Sequence, residues 1–313
     1  MTIKVLGYAA QSATGAPATY KRMRAGFEGP EQLFLGRNSA DVVAILSQAP
    51  GGLELLPTAD YNNGEPWLKV RERTVENKDK DKRKRNEILA LPKHGDPYTE
   101  IYLSPTWYGM VPDDNTKLML GSLPNDSASQ GKEGDESPRK VLEEVVREVR
   151  KFHTAIENKY KKPTYAHYGA QGERNVADGR GGVLGTGLMA SKNLFTWGEV
   201  VWEGKGVAGL DPQAIRIVKD DGNGTLSTDS GIELTIAGPD CPGDGTVPVY
   251  SGEAPGLAGI AMSFAHGQGN AGRCNTHYSY DHQGSYGDKH RRSLYATMYA
   301  IVKIAQQAQW HKK

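Results

Sequence analysis

Long apolar runs are absent from this 313-residue chain, and with them any stretch of the ~18 to 20 apolar residues that a membrane-crossing helix needs. The opening MTIKVLGYAA is too short and too soon interrupted for the apolar region of a secretory signal. Export, if it occurs, is expected to proceed without a cleaved leader. Net charge is nearly absent as well, because 38 Lys and Arg stand against 37 Asp and Glu. That balance creates no general attraction for a polyanion, and nucleic acid is not expected as a partner. Cysteine is limited to Cys241 and Cys274, and the lack of any Cys-x-x-Cys argues against a structural zinc site. The two read equally well as buried thiols or as a disulfide, which would require an oxidising compartment such as a periplasm. The motif Gly-x-Ser-x-Gly, whose small residues permit the strained strand-to-helix turn of a serine nucleophile, occurs nowhere.

What is present supports a sizeable folded protein. With 37% hydrophobic residues the chain can bury one large core or two ordinary ones. IKVLGYAA at 3–10 reads as a buried parallel strand with nothing expected ahead of it. NSADVVAIL reads as a helix capped by Asn38 or Ser39, with Val42, Val43 and Leu46 on one face and Pro50-Gly51-Gly52 as its stop. The composition changes between 58 and 212, where ENKDKDKRKRNE (76–87) and NDSASQGKEGDES (125–137) are polar low-complexity tracts of loop character. Ser137-Pro138 opens a long helix with an apolar face of Val141, Leu142, Val145, Val149, Phe152 and Ile156, beside which His153 is a packing residue. IYLSPTWYGMV, PTYAHYGAQ and LFTWGEVVW favour strands, and IRIVKDDGNGTLSTDSGIELTI reads as a hairpin turning at Asp221 to Gly224. That turn lacks the ligand spacing of a calcium loop. GIAMSFAH is a further strand, and a helix is predicted over about 289–310 with Leu294, Met298, Ile301, Val302 and Ala305 as its apolar stripe.

This order predicts an α/β protein with core segments at 1–57 and 213–313 flanking a mixed α+β insertion at 58–212. Its chemistry concentrates in two loops. In PGDGTVP the glycines allow a tight bend at Asp244, and in YDHQGSYG His282 sits directly ahead of the last helix. A carboxylate followed by a histidine is the order in which α/β-hydrolases place their acid and base. His266, His277 and His290 compete for the base, but the loop position of His282 best lets an imidazole project over strand ends. If Asp244 and His282 meet, Cys241 and Cys274 ride on the same two loops, where a disulfide would brace them. Ser12, in AQSAT after the first strand, is the nearest imitation of a nucleophile, with Thr14 crowding the turn. No metal or organic cofactor is implied.

Taken in order, KVLGYAAQSATGAPATYKRMRAGFEG, LGRNSADVVAILSQAPGGLELLPTADY, DPYTEIYLSPTWYGMV, PTYAHYGAQ with TWGEVVW, PGDGTVP and YDHQGSY resemble the C-terminal portion of the third family of type VI secretion lipase effectors. The resemblance implies an α/β-hydrolase fold, partial here, with a large insertion. It implies a Ser-Asp-His triad acting on phospholipid acyl esters in the periplasm of a rival bacterium, with Asp244 and His282 at the acid and base positions. The family's serine elbow lies upstream of the segment matched here. The resemblance therefore implies partners: a phospholipid substrate, an immunity protein, a secretion component or adaptor, and a serine-bearing N-terminal half without which the chain should be inactive and poorly soluble. Two other readings remain, a self-sufficient esterase using Ser12 and a non-catalytic interaction module.

Overall fold

In the computed structural model, residues 6–9, 11–74, 86–111, 138–170, 195–239, 241–267, 280–286 and 291–307 are described, with backbone only at 6–9, 138, 291–292 and 307. The tract 125–137, nearly all of 76–87, Cys274 and its proposed disulfide, His277 and His290 lie outside them. The chain divides into two compact units, one of Met1–Ala16, Asn158–Gly198 and Pro239–Lys313, the other of Pro17–Glu157 and Glu199–Gly238. These divisions fall elsewhere than 57/58 and 212/213, because residues 17–57 and 213–238 join the unit formed by most of the expected insertion.

The first unit is built on a parallel sheet of order β1-β4-β9, from β1 (Leu6–Ala9), β4 (Thr164–Ala170) and β9 (Met262–Gly267). Every residue of β4 is buried, as expected of the middle strand of a parallel sheet covered on both faces. The register sets His167 opposite Phe264 and Gly169 opposite His266. Alternation then sorts the side chains. Tyr168, Ala170 and Ala265 form one cluster with Val249 packed against it. Val249 opens the helix α6 (Val249–Leu257), and a Cβ on its Gly252 would stand 2.8 Å from the Tyr168 Cβ, so only glycine allows this approach. On the other face Tyr165 and Phe264 meet Tyr299 edge-on at 6.1 and 5.7 Å. Tyr299 belongs to the last helix, α7 (Arg291–Gln307).

That helix corrects the sequence expectation. Its buried residues are Ser293, Ala296 and Ala300, whereas Leu294, Met298, Ile301 and Val302 are half exposed or more and Tyr295 is 60% exposed. Periodicity located a real apolar stripe, but small residues together with Tyr299 bring the helix to the sheet, while Leu294, Met298, Ile301 and Val302 stay largely exposed.

The second unit carries a mixed sheet of order β3-β2-β5-β8-β7-β6. Its strands are β2 (Leu68–Glu72), β3 (Glu87–Leu91), β5 (Val200–Gly204), β6 (Ile217–Asp220), β7 (Thr225–Thr228) and β8 (Glu233–Ile236). The strands β6 and β7 pair antiparallel around Asp221 to Gly224, and β8 extends the hairpin to a third strand. The Asp221 carboxylate accepts from the N–H groups of Asn223 and Thr225, which is turn chemistry. Among the described residues, the helices α1 (Ala18–Ala25), α2 (Gln32–Leu35), α3 (Ser39–Leu46), α4 (Pro50–Leu53) and α5 (Pro138–Ile156) accompany the sheet. Asn38 caps α3 by accepting from the Asp41 N–H at 3.0 Å, as its side-chain chemistry predicts. The helix α3 ends at Leu46, ahead of Pro50-Gly51-Gly52, its expected stop, and that segment itself opens α4, where proline at the first turn costs no hydrogen bond. IYLSPTWYGMV (101–111) forms no strand: its first two residues close a turn of π-helix at Tyr98–Tyr102 and the rest are turns and bends.

The α5 face also differs from its prediction. Leu142, Val146, Val149 and His153 are buried, while Phe152 and Ile156 are 40% and 43% exposed. His153 can take an inward position because both ring nitrogens are satisfied, Nδ1 by the Tyr98 hydroxyl at 2.7 Å and Nε2 by the Glu54 carbonyl at 2.9 Å.

Aromatic rings and one buried ion pair organise this unit. Trp67, Trp202, Tyr20 and Tyr102 are almost wholly buried, each large side chain contributing roughly 1.5–3 kcal/mol by leaving water. Arg24 lies among them at 0% exposure, its guanidinium donating to the Asp220 carboxylate at 3.2 Å and the Gly109 carbonyl at 3.1 Å. Removing one member of such a pair strands the other charge away from water. Asp220→Ala should therefore cost about 3–5 kcal/mol of unfolding free energy, readable by denaturant titration, against less than about 1 kcal/mol for the exposed Lys151–Glu148 pair.

Candidate active site

The acidic loop is a short hairpin anchored at its base. Thr196 and Cys241 exchange backbone hydrogen bonds of 2.9 and 3.0 Å, and Gly243 bridges Pro248. The two glycines around Asp244 are required for different reasons. A Cβ on Gly243 would lie 2.3 Å from the Val247 carbonyl oxygen, and Gly245 has φ of 86°, in the left-handed region that glycine adopts freely. Within this turn the Asp244 Oδ1 accepts from the N–H groups of Thr246 at 3.0 Å and Val247 at 2.7 Å. The carboxylate is thus held in one orientation, with its residue 2% exposed.

Its other oxygen, Oδ2, is 2.9 Å from Nδ1 of His282. The His282 N–H also donates to the Asp244 carbonyl at 2.9 Å, so backbone and side chain make the same pairing. A carboxylate can only accept, so Nδ1 carries the proton and the neutral imidazole keeps its lone pair on Nε2. The hydrogen bond to Asp244, together with the Asp244 and Asp281 charges, raises the His282 pKa above its ordinary value against the lowering effect of burial. A partly exposed imidazole with a fixed tautomer and an anionic partner is equipped to take a proton at Nε2 and return it.

The sequence brought forward other residues, and the structure places them differently. His266 is buried on β9, where its ring meets His167 edge-on and Tyr280 at a tilt. Ser12 lies 3.4 Å from the Ser251 hydroxyl, which also accepts from the Thr14 N–H at 3.0 Å. No hydrogen bond joins Ser12 to His282 among the described residues. Sequence reasoning missed Ser251, fully buried in α6, because no local motif marks it. It also missed Tyr280, whose hydroxyl reaches Nδ1 of His167 at 2.8 Å across 113 positions of chain. Among the described residues no group of three or more His, Cys, Asp and Glu could hold a metal ion, and no helix is long and apolar enough to cross a membrane.

The pairing has a pH signature. Because the folded-state pKa of His282 is raised, its contribution is fully present below the unfolded value and is lost as pH rises through the folded one. Asp244→Asn should therefore destabilise the chain more at about pH 5.5 than at about pH 8.5, and parallel denaturant titrations at the two pH values check it.

No family model matches the chain, and no curated protein matches it. Among solved structures it is similar to a chain of the crystal structure of the Tle4–Tli4 complex, with a TM-score of 0.72 and 34% sequence identity over 98% of this chain. The α/β-hydrolase class expected from the sequence is borne out by that likeness. This chain is thus like a Tle-type protein along nearly all of its own length, and it spans 56% of the length of the chain it matches.

Proposed function

We propose that this chain carries the acid and base of a serine-dependent phospholipid hydrolase of the type VI effector kind. The observation that carries the reading is the pair itself: Asp244, buried and doubly hydrogen-bonded by its own turn, holding His282 at 2.9 Å. The likeness to the Tle4–Tli4 complex supports the effector class. Membership of the third family rests on the sequence blocks alone.

In the proposed reaction His282 Nε2 accepts the proton of a serine hydroxyl while the serine oxygen adds to an acyl ester carbonyl. The same nitrogen then returns the proton to the departing lysolipid alkoxide, and water releases the fatty acid by the reverse sequence. Asp244 stabilises the imidazolium between the two transfers. The serine comes from a further segment rather than from Ser12, whose partner is Ser251. Support for such a segment is physical: Leu294, Tyr295, Met298, Ile301 and Val302 on α7 are more than half exposed, a surface that costs free energy in water and that a completing segment would cover. An immunity protein of the Tli4 kind, a secretion component or adaptor, and action in the periplasm of a target bacterium complete the proposal.

The test combines the purified chain with the part of the Tle4-complex chain that has no counterpart in this sequence, and treats the mixture with a fluorophosphonate serine probe. Labelling of a serine on the added part, reduced at least about 10³-fold together with phospholipid turnover by His282→Ala, is the expected result. Turnover that survives His282→Ala would sink the acid–base reading. Label on Ser12 of the chain alone, lost with His282→Ala, would instead make the chain a self-sufficient esterase.

A further inference from the structure

We propose that Tyr280 is a positioning residue for His282, fixing the loop that bears the base through a hydrogen bond from its hydroxyl to His167 on the central strand β4. The proposal rests on the reading of His282 as the base, but its test needs no turnover.

The polar atoms form one chain across three elements. The Tyr280 hydroxyl donates to His167 Nδ1 at 2.8 Å, and His167 Nε2–H donates to the Thr297 hydroxyl of α7 at 3.3 Å. His167 is neutral at neutral pH, because burial and the nearby His266 push its pKa down to about 4; it then offers one acceptor and one donor, and the tautomer with the proton on Nε2 lets the Tyr280 phenol donate to Nδ1. Tyr280 and His167 are 2% and 5% exposed. The Tyr280 ring meets His167 edge-on at 5.9 Å and leans on His266 at 5.2 Å, so strands β4 and β9 both shape its seat.

Such a seat restricts the loop. Positions of residue 280 that break the bond to His167 give up a buried hydrogen bond and are therefore disfavoured. His282 lies two residues further on. From there its backbone N–H must find the Asp244 carbonyl and its Nδ1 the Asp244 carboxylate. The Ser285 hydroxyl secures the far side by donating to the His282 carbonyl at 2.8 Å. Tyr280 is the anchor ahead of the base and Ser285 the anchor behind it. Displacements of about 1 Å in a reacting group are costly to catalysis, which gives a buried anchor beside the base its value.

The experiment follows the His282 ring in the isolated chain by nitrogen-15 NMR, reading its pKa and the Nδ1–H signal of the bond to Asp244. Asp244 and Asp281 are the acidic groups acting on this imidazole, and neither is altered. Tyr280→Phe keeps the ring and deletes the hydroxyl. The expected result is a His282 pKa that falls towards about 6.5 and a weakened Nδ1–H signal. His167→Leu should do the same, whereas His167→Asn, which presents an acceptor near the Nδ1 position, should restore the wild-type values. If Tyr280→Phe does not fold, the contrast between the two His167 variants decides the matter. A wild-type value already near 6.5 would remove the Asp244 pairing and the hydrolase reading with it. A raised wild-type value left unchanged in folded Tyr280→Phe, or identical behaviour of His167→Leu and His167→Asn, would overturn the anchoring role alone.

Discussion

A carboxylate taken out of water must be satisfied, and Asp244 is the point at which this requirement shapes the first unit. Its two oxygens accept from Thr246, Val247 and His282, while its carbonyl accepts from the His282 backbone. Burying this charge with one partner missing would cost several kcal/mol. The GDG turn and the loop at 280–286 are therefore mutually dependent: the turn aims the carboxylate, and the loop supplies the donor that completes its shell. The glycines, the Thr196–Cys241 bridge and the Tyr280 anchor all serve that one arrangement.

The second unit solves a similar problem by other means. Arg24 is a fully buried cation, answered by Asp220, by the Gly109 carbonyl and by the face of Trp202 at 5.5 Å. Near it some aromatic residues place their polar ends on backbone carbonyls, Tyr20 on Tyr108, Tyr102 on Pro57 and Trp107 on Pro212. Aromatic residues here provide both apolar area and hydrogen-bond donors.

Much of the local structure was legible because its causes are local. Asn38 caps α3 by its own side chain, Asp221 makes its turn with residues two and four positions on, and the GDG glycines mark a bend whatever surrounds it. The order of acid before base was equally plain. The helices were read less well, for an instructive reason. Periodicity in α5 and α7 identifies a stripe of apolar residues, but the face a helix buries depends on what packs against it. His153 replaced Phe152 and Ile156 on the buried face of α5 once Tyr98 and Glu54 satisfied its ring. Small residues of α7 met the sheet because they permit close approach, leaving Met298 and Ile301 largely exposed.

By itself the sequence determined the strand character of IKVLGYAA, PTYAHYGAQ and GIAMSFAH, the bend of the GDG turn, Asp244 and His282 as candidates in the order acid before base, and the lack of a serine elbow. Each of these is set by interactions spanning a few residues or by simple presence and order. Only the tertiary structure decided that His167 faces Tyr280, that Ser251 stands beside Ser12, and that residues 17–57 fold with the inserted unit. These contacts join positions 113 and 239 residues apart in the first two cases. No short-range preference reports such a meeting, because the energy that rewards it appears only when the sheet brings the side chains within hydrogen-bonding distance.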